Sequence, residues 1–314
     1  MTPPTFRPVA ALALAAGLAL ALPGCGSKPQ ADKGGDKKDE PNPGPKVDPK
    51  VDPKIEPRGE PKPVDKIDLS AGVGKEATEF LKALGDGAAK ADRLSAGFAK
   101  AVGLPVALPS DKAKGYSADA AEGWLRRVGQ GRGLSLPFNS RQAGDAALFR
   151  GTFVGKPGGY ALRLVKEGGA WKVDWLALSS VDVKGTTAGP SADAVAQEFA
   201  AAAVMEVICD KDAMPADDRA PAIAAGLTPA LRAKWAEPFG SDKDQGYDYN
   251  RGKLALKAAE IGGGAESFTA AQQGDAPVFK VEVTKAGGAK AAYLVKLVKG
   301  TAPGQWLVDD ITPA

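Results

Sequence analysis

The sequence predicts an α+β fold: two tandem repeats, each of N-terminal helices packed on a curved antiparallel sheet of about four strands, beyond a disordered N-terminal tether. Three observations lead there. One phrase is written twice, the hydrophobic period changes from helical to alternating inside each copy, and residues 26–66 are too polar and too rich in proline to pack.

The first copy of the phrase reads Ser110-Asp111-Lys112-x-x-Gly115-Tyr116, Gly144-Asp145-Ala146-x-x-Phe149, Tyr160-x-Leu162-Arg163-Leu164-Val165-Lys166 and Trp171-x-Val173-Asp174. The second reads Ser241-Asp242-Lys243-x-x-Gly246-Tyr247, Gly274-Asp275-Ala276-x-x-Phe279, Tyr293-x-Val295-Lys296-Leu297-Val298-Lys299 and Trp306-x-Val308-Asp309. Matching positions lie 131, 130, 133 and 135 residues apart in turn, the register of a duplication. The repeats are assigned to 67–188 and 189–314, each long enough to bury a core of its own.

In the first repeat, Lys75 to Lys90 carries Phe80, Leu81 and Leu84 at helical spacing, and Leu94, Phe98, Ala101 and Val102 continue the pattern up to Gly103-Leu104-Pro105. Ser117 caps a third helix through Val128, with Trp124, Leu125 and Val128 on one side. After Gly129 the period becomes two. Leu134 and Leu136 suggest a short strand, and Asp145–Val154, Gly159–Lys166 and Ala170–Leu178 alternate apolar with polar residues, separated by the Lys156–Gly159 and Glu167–Gly169 turns. The second repeat opens with a longer helix from Ser191 to about Cys209, with Val195, Phe199, Ala203 and Val207 on one face. Thr228-Pro229 then starts a helix ending near Trp235. Its length changes relative to the first copy fall in Lys285–Lys290 and Gly300–Gln305, where loops are expected.

At the amino end, Arg7 precedes an apolar run from Val9 to Leu22. Its fourteen residues suit a secretory leader and fall short of the roughly 20 that span a bilayer. Leu22-Pro23-Gly24-Cys25 follows and resembles the bacterial lipoprotein lipobox. The resemblance implies cleavage after residue 24 and acylation of Cys25, with anchoring to a membrane by two or three acyl chains. Residues 25–66 form the linker. Val47-Asp48-Pro49-Lys50 is repeated at 51–54 and echoed at 55–58, so proline and alternating charge are expected to hold it as an extended spacer.

Composition removes whole classes of chemistry. The chain has no histidine and two cysteines, Cys25 and Cys209, which excludes histidine-based triads, the common zinc sites and a cysteine cluster. Net charge is +3 overall but +5 over 67–188 and −4 over 189–314, an asymmetry that would favour docking of the two repeats on one another. No aromatic-interleaved basic stripe accompanies it, so no nucleic acid is expected.

Helices followed by a meander ending in Leu164-Val165-Lys166 with Trp171 to Asp174, and in Leu297-Val298-Lys299 with Trp306 to Asp309, resemble the nuclear transport factor 2-like superfamily of cone-shaped α+β domains. A cystatin-like sheet on one helix would read similarly. Enzymes of the superfamily that isomerise set a tyrosine and carboxylates in an apolar cone. Candidates of those types here are Tyr116 and Tyr247, and Glu79 and Glu198 in matching Ala-x-Glu-Phe phrases. Trp171 and Trp306 read as core aromatics, Asp174 and Asp309 as solvated carboxylates, and Asp111 and Asp242 as caps of local amides. Asp242, Asp244 and Asp248 alternate as calcium ligands do, but Lys253 stands where the late glutamate belongs, so a polar turn is the expectation.

Together these features describe an envelope lipoprotein, membrane-tethered through Cys25, acting as a binding or assembly module with no cofactor and no catalysis. Its partner would be an envelope protein. The alternatives are a carrier of a small apolar ligand in the cone of one repeat and, behind it, an isomerase-like enzyme.

Overall fold

Five of the described helices begin just after a short polar side chain. Ser95, Ser117, Ser191, Thr228 and Asn250 each accept a hydrogen bond from the backbone N–H three residues on, a cap that stabilises a helix by about 1 kcal/mol. The computed structural model describes residues 66–104, 116–210, 212–244 and 246–314. The leader, Cys25, the linker up to residue 65, and the turn around Asp111 lie outside the described residues.

The chain runs α1 (Gly72–Gly85), α2 (Ala96–Val102), α3 (Ala118–Gly129), β1 (Asn139–Ala143), β2 (Ala146–Thr152), β3 (Gly159–Glu167), β4 (Ala170–Ser179) and β5 (Asp182–Thr187). It continues with α4 (Ala192–Cys209), α5 (Ala216–Gly226), α6 (Pro229–Trp235), α7 (Gly240–Asp244) and α8 (Arg251–Gly262), then β6 (Ala265–Gln272), β7 (Val278–Lys285), β8 (Lys290–Lys299) and β9 (Trp306–Pro313). Strands β1 to β4 make an antiparallel meander, and a second sheet has the order β5-β6-β7-β8-β9. The class is therefore α+β with two sheets of four and five strands.

Several expectations are corrected. Leu134 and Leu136 do not form a strand: only Leu134 bridges to Phe153, because Pro137 has no N–H to donate and pairing starts in earnest at Asn139. The second sheet is not purely antiparallel, since β5, in the stretch assigned to the first repeat, pairs in parallel with β6. Nor do the two halves bury separate cores. A single hydrophobic cluster runs from Ile67 to Ile311.

The reason is α4. One apolar face was expected; instead every residue from Ala194 to Cys209 except Glu198 is buried. A helix apolar on all sides must be covered on all sides, and α4 packs on β1 and β4 of the first sheet and on β6, β8 and β9 of the second. Trp175 of β4 meets Phe199 of α4 edge to face at 6.4 Å. Helix α5 also crosses over, packing on α2, α3 and β4. No helix among the described residues is long and apolar enough to cross a membrane.

Ion pairs between the halves follow the charge asymmetry: Arg127–Asp218, Arg141–Glu198 and Arg150–Glu206 each join a base before residue 188 to an acid after it. Asp218, almost wholly buried, takes three hydrogen bonds from the Arg127 guanidinium, while its carbonyl accepts from Trp124 Nε1 at 3.0 Å.

Corresponding parts recur 133 positions apart. Helices α2 and α6 have seven residues each, α3 and α8 twelve each. The N–H groups of Ser95 and Thr228 donate to the carbonyls of Val173 and Val308, and those of Ser117 and Asn250 to Gly103 and Ala236. Gly129 and Gly262 also correspond: a Cβ on either would lie 2.4 Å from an atom of Leu84 or Ile208, so both helices approach their neighbour too closely for a side chain.

Asp174 is not solvated. It pairs with the buried Arg163 guanidinium and accepts from Ser95 Oγ at 2.8 Å. Asp309 accepts from Thr228 Oγ1 at 3.2 Å and faces Lys296 at 4.0 Å, part-exposed. Trp306 is buried as expected, whereas Trp171 is only partly so.

Candidate functional site

The inner faces of both sheets are filled. Phe149, Leu162, Leu164, Leu176 and Leu178 in one, and Phe268, Phe279, Val281 and Val295 in the other, are almost fully buried against the helices. One of the openings among the described residues, of about 560 Å³, is lined by Leu94, Ala99, Tyr116 and Glu167; another is a cleft of about 410 Å³ bordered by the end of the first sheet and β5. One wall is Phe138, Arg150 and Thr152, the other is Asp182, Val183 and Thr186, and Glu206 of α4 forms the floor.

The floor is a buried charge pair. Arg150 Nη1 donates to Glu206 Oε1, the Arg150 guanidinium stacks on Phe199 at 5.4 Å from the ring centre, and Glu206 is nearly inaccessible. Removing either partner would leave a charge in a site of low polarity, which is costly. Arg150 Nη2 is buried and has no hydrogen-bond partner. Tyr160 also borders the cleft, but its hydroxyl donates to the Ser135 carbonyl at 2.7 Å, and burial pushes the phenol above its ordinary range. A tyrosine and a carboxylate therefore share one cavity, with the hydroxyl committed elsewhere and the carboxylate bound to a cation.

Phe138 borders the cleft and is exposed by 70%. Backbone hydrogen bonds from Ser135 to Thr152, from Val154 to Gly133 and from Phe138 to Arg150 hold the 133–138 segment against the end of β2. Leu136 and Val154, in those paired segments, are exposed by 65% and 66%. Lys156 stands in the adjoining β2–β3 hairpin, exposed and with no acidic partner among the described residues.

The residues singled out in the sequence are scattered. Tyr116 is on the surface two residues before α3, and Tyr247 is buried, donating to the Leu104 carbonyl at 3.0 Å. By position before its helix, it is the buried Tyr249 that answers Tyr116, so the phrase is out of step there by two residues. Glu79 is exposed beside Lys75, while Glu198 is half-buried between Thr186 and Arg141. Asp242 accepts from Phe239 N and Asn250 Nδ2, and Asp248 pairs with Arg232 at 2.5 Å. Those bonds tie a turn together; Asp244 ends α7, and among the described residues no three acidic or cysteine side chains are grouped to hold a metal ion. Cys209 is buried, which raises its thiol to about 12.

Sequence reading missed Arg150, Lys156, Phe138 and Glu206. The signal for Glu206 was present, as a lone acid in Val-Met-Glu-Val-Ile-Cys near the end of an alanine-rich run. Comparison with known proteins finds no matching family model, no matching curated protein and no matching solved structure.

Proposed function

We propose that this chain is a lipid-anchored protein of a bacterial cell envelope that works by binding another macromolecule rather than by catalysis. The anchor rests on the leader and the Leu22–Cys25 phrase, and the linker would hold residues 66–314 away from the membrane. The binding role rests on one observation, Phe138 exposed at the border of an open cleft, with Leu136 and Val154 exposed in the adjoining paired segments. Large apolar side chains left in water cost solvation that a partner would recover.

A carrier of small apolar ligands is less well supported, because the cones expected to hold such a ligand are filled on both sheet faces and the cleft beside β5 has an ion pair for its floor. An isomerase is less well supported still, because Tyr160 and Glu206 are each engaged with another group.

Two measurements test the proposal. Labelling cells with an alkynyl palmitate analogue should mark the wild-type protein and hold it in the membrane fraction, and Cys25→Ser should abolish both; an unlabelled wild type would refute the anchor. A photo-crosslinking amino acid in place of Phe138 should trap a discrete adduct in cells, whereas one in place of Leu256, exposed on α8, should not. No adduct at 138, or equal adducts at both positions, would refute the binding surface.

A further inference from the structure

Resting on that reading, we infer that the cleft takes an extended acidic peptide segment of a partner protein, added as a sixth strand alongside β5. Strand β5 pairs with β6 along one edge only. Among the described residues its other edge makes no backbone hydrogen bond from Asp182 to Thr187, and four of its residues border the cleft. Unpaired N–H and C=O groups along a strand are a template for another extended chain. A six-residue edge is about 20 Å long, enough to hold a short segment between β5 and Phe138.

The charge of the walls selects the segment. Asp182 is paired with Lys184 at 2.5 Å and Glu206 with Arg150. The acids bordering the cleft are thus compensated. Lys156, which lines the cleft and is exposed, is not. An acidic side chain on the incoming strand answers it, and an apolar side chain next to it covers Phe138.

The test pans a phage-displayed library of random dodecapeptides against the full chain in detergent. Enriched peptides should alternate apolar and polar residues and carry at least one Asp or Glu. A synthetic copy of the best one should bind Lys156→Glu about tenfold more weakly and Phe138→Ser more weakly too, while Leu256→Ser binds as the wild type does. Peptide addition should also slow amide hydrogen exchange over 182–187, a readout that needs no variant. The inference falls if no peptide is enriched, if the enriched peptides lack acids and ignore Lys156→Glu, or if protection appears elsewhere. It falls equally if a tetramer of N-acetylglucosamine binds the cleft and peptides do not. A protein adduct at position 138 without any peptide binding would sink this inference and leave the proposed function standing.

Discussion

Arg163, Asp174 and Ser95 in the first half meet as Lys296, Asp309 and Thr228 do in the second: a base on the third strand of the meander, an acid on the fourth, and the hydroxyl that caps a seven-residue helix. A β-bulge follows the base in both. The surroundings differ. The Arg163–Asp174 pair is almost wholly buried, and burial pulls the guanidinium below its ordinary value while Asp174 holds it up; Lys296 and Asp309 are open to water. The backbone arrangement is alike in the two halves, and what differs is how much solvent screens the charges. Arginine, planar and able to fork around a carboxylate, stands where the pair is buried, and lysine where it is not.

The largest expected effect follows from that contrast. Asp174→Ala strands a buried guanidinium and should destabilise the fold by about 3–5 kcal/mol. Asp309→Ala, in the open copy, should cost no more than about 1 kcal/mol. Urea unfolding of the two variants measures both, and equal losses would break the comparison. Next in size are the caps. Ser95→Ala and Thr228→Ala each remove a helix cap worth about 1 kcal/mol, and Ser95→Ala should cost more because its hydroxyl also satisfies buried Asp174. If Thr228→Ala cost more, the hydroxyls would be acting as caps and nothing else.

The smallest effect is one of pH. Burial raises the Cys209 thiol from 9.0 to about 12, so the folded chain keeps its proton where the unfolded chain has lost it. The resulting contribution to stability is intact below pH 9 and is lost as pH climbs toward 12. Tyr160, Tyr247 and Tyr249 are raised by burial too, so their contributions are likewise lost only on the alkaline side of their ordinary value. Cys209→Ala should therefore flatten the alkaline decline in melting temperature slightly, and an unchanged slope would show the thiol to be accessible to water.

Local structure was legible wherever one residue type dictates one geometry. Ser117, Ser191 and Thr228-Pro229 announced their helices, and Gly144 and Gly274, both at φ 60, mark matching turns in the two sheets. The helix at α5 escaped notice because Pro221 sits inside it and Pro215 just before it. The β5 strand was hidden for another reason: Asp182, Lys184 and Gly185 give it no apolar face, and its pairing is decided by a strand over 80 residues away. The site suffered most. Arg150 and Lys156 look like ordinary strand and turn residues until α4 and β5 are brought beside them. Net charge, by contrast, carried real information, since Arg127–Asp218, Arg141–Glu198 and Arg150–Glu206 run in the direction that the +5 and −4 imbalance implies.

Sharing α4 makes the halves interdependent in a way that no count of repeats conveys. Neither sheet can lose that helix and stay covered, so residues 66–314 should melt as one body. Differential scanning calorimetry of residues 66–314 should show a single endotherm whose calorimetric and van't Hoff enthalpies agree. Two resolved endotherms, with Phe149→Ala shifting one and Phe279→Ala only the other, would contradict it.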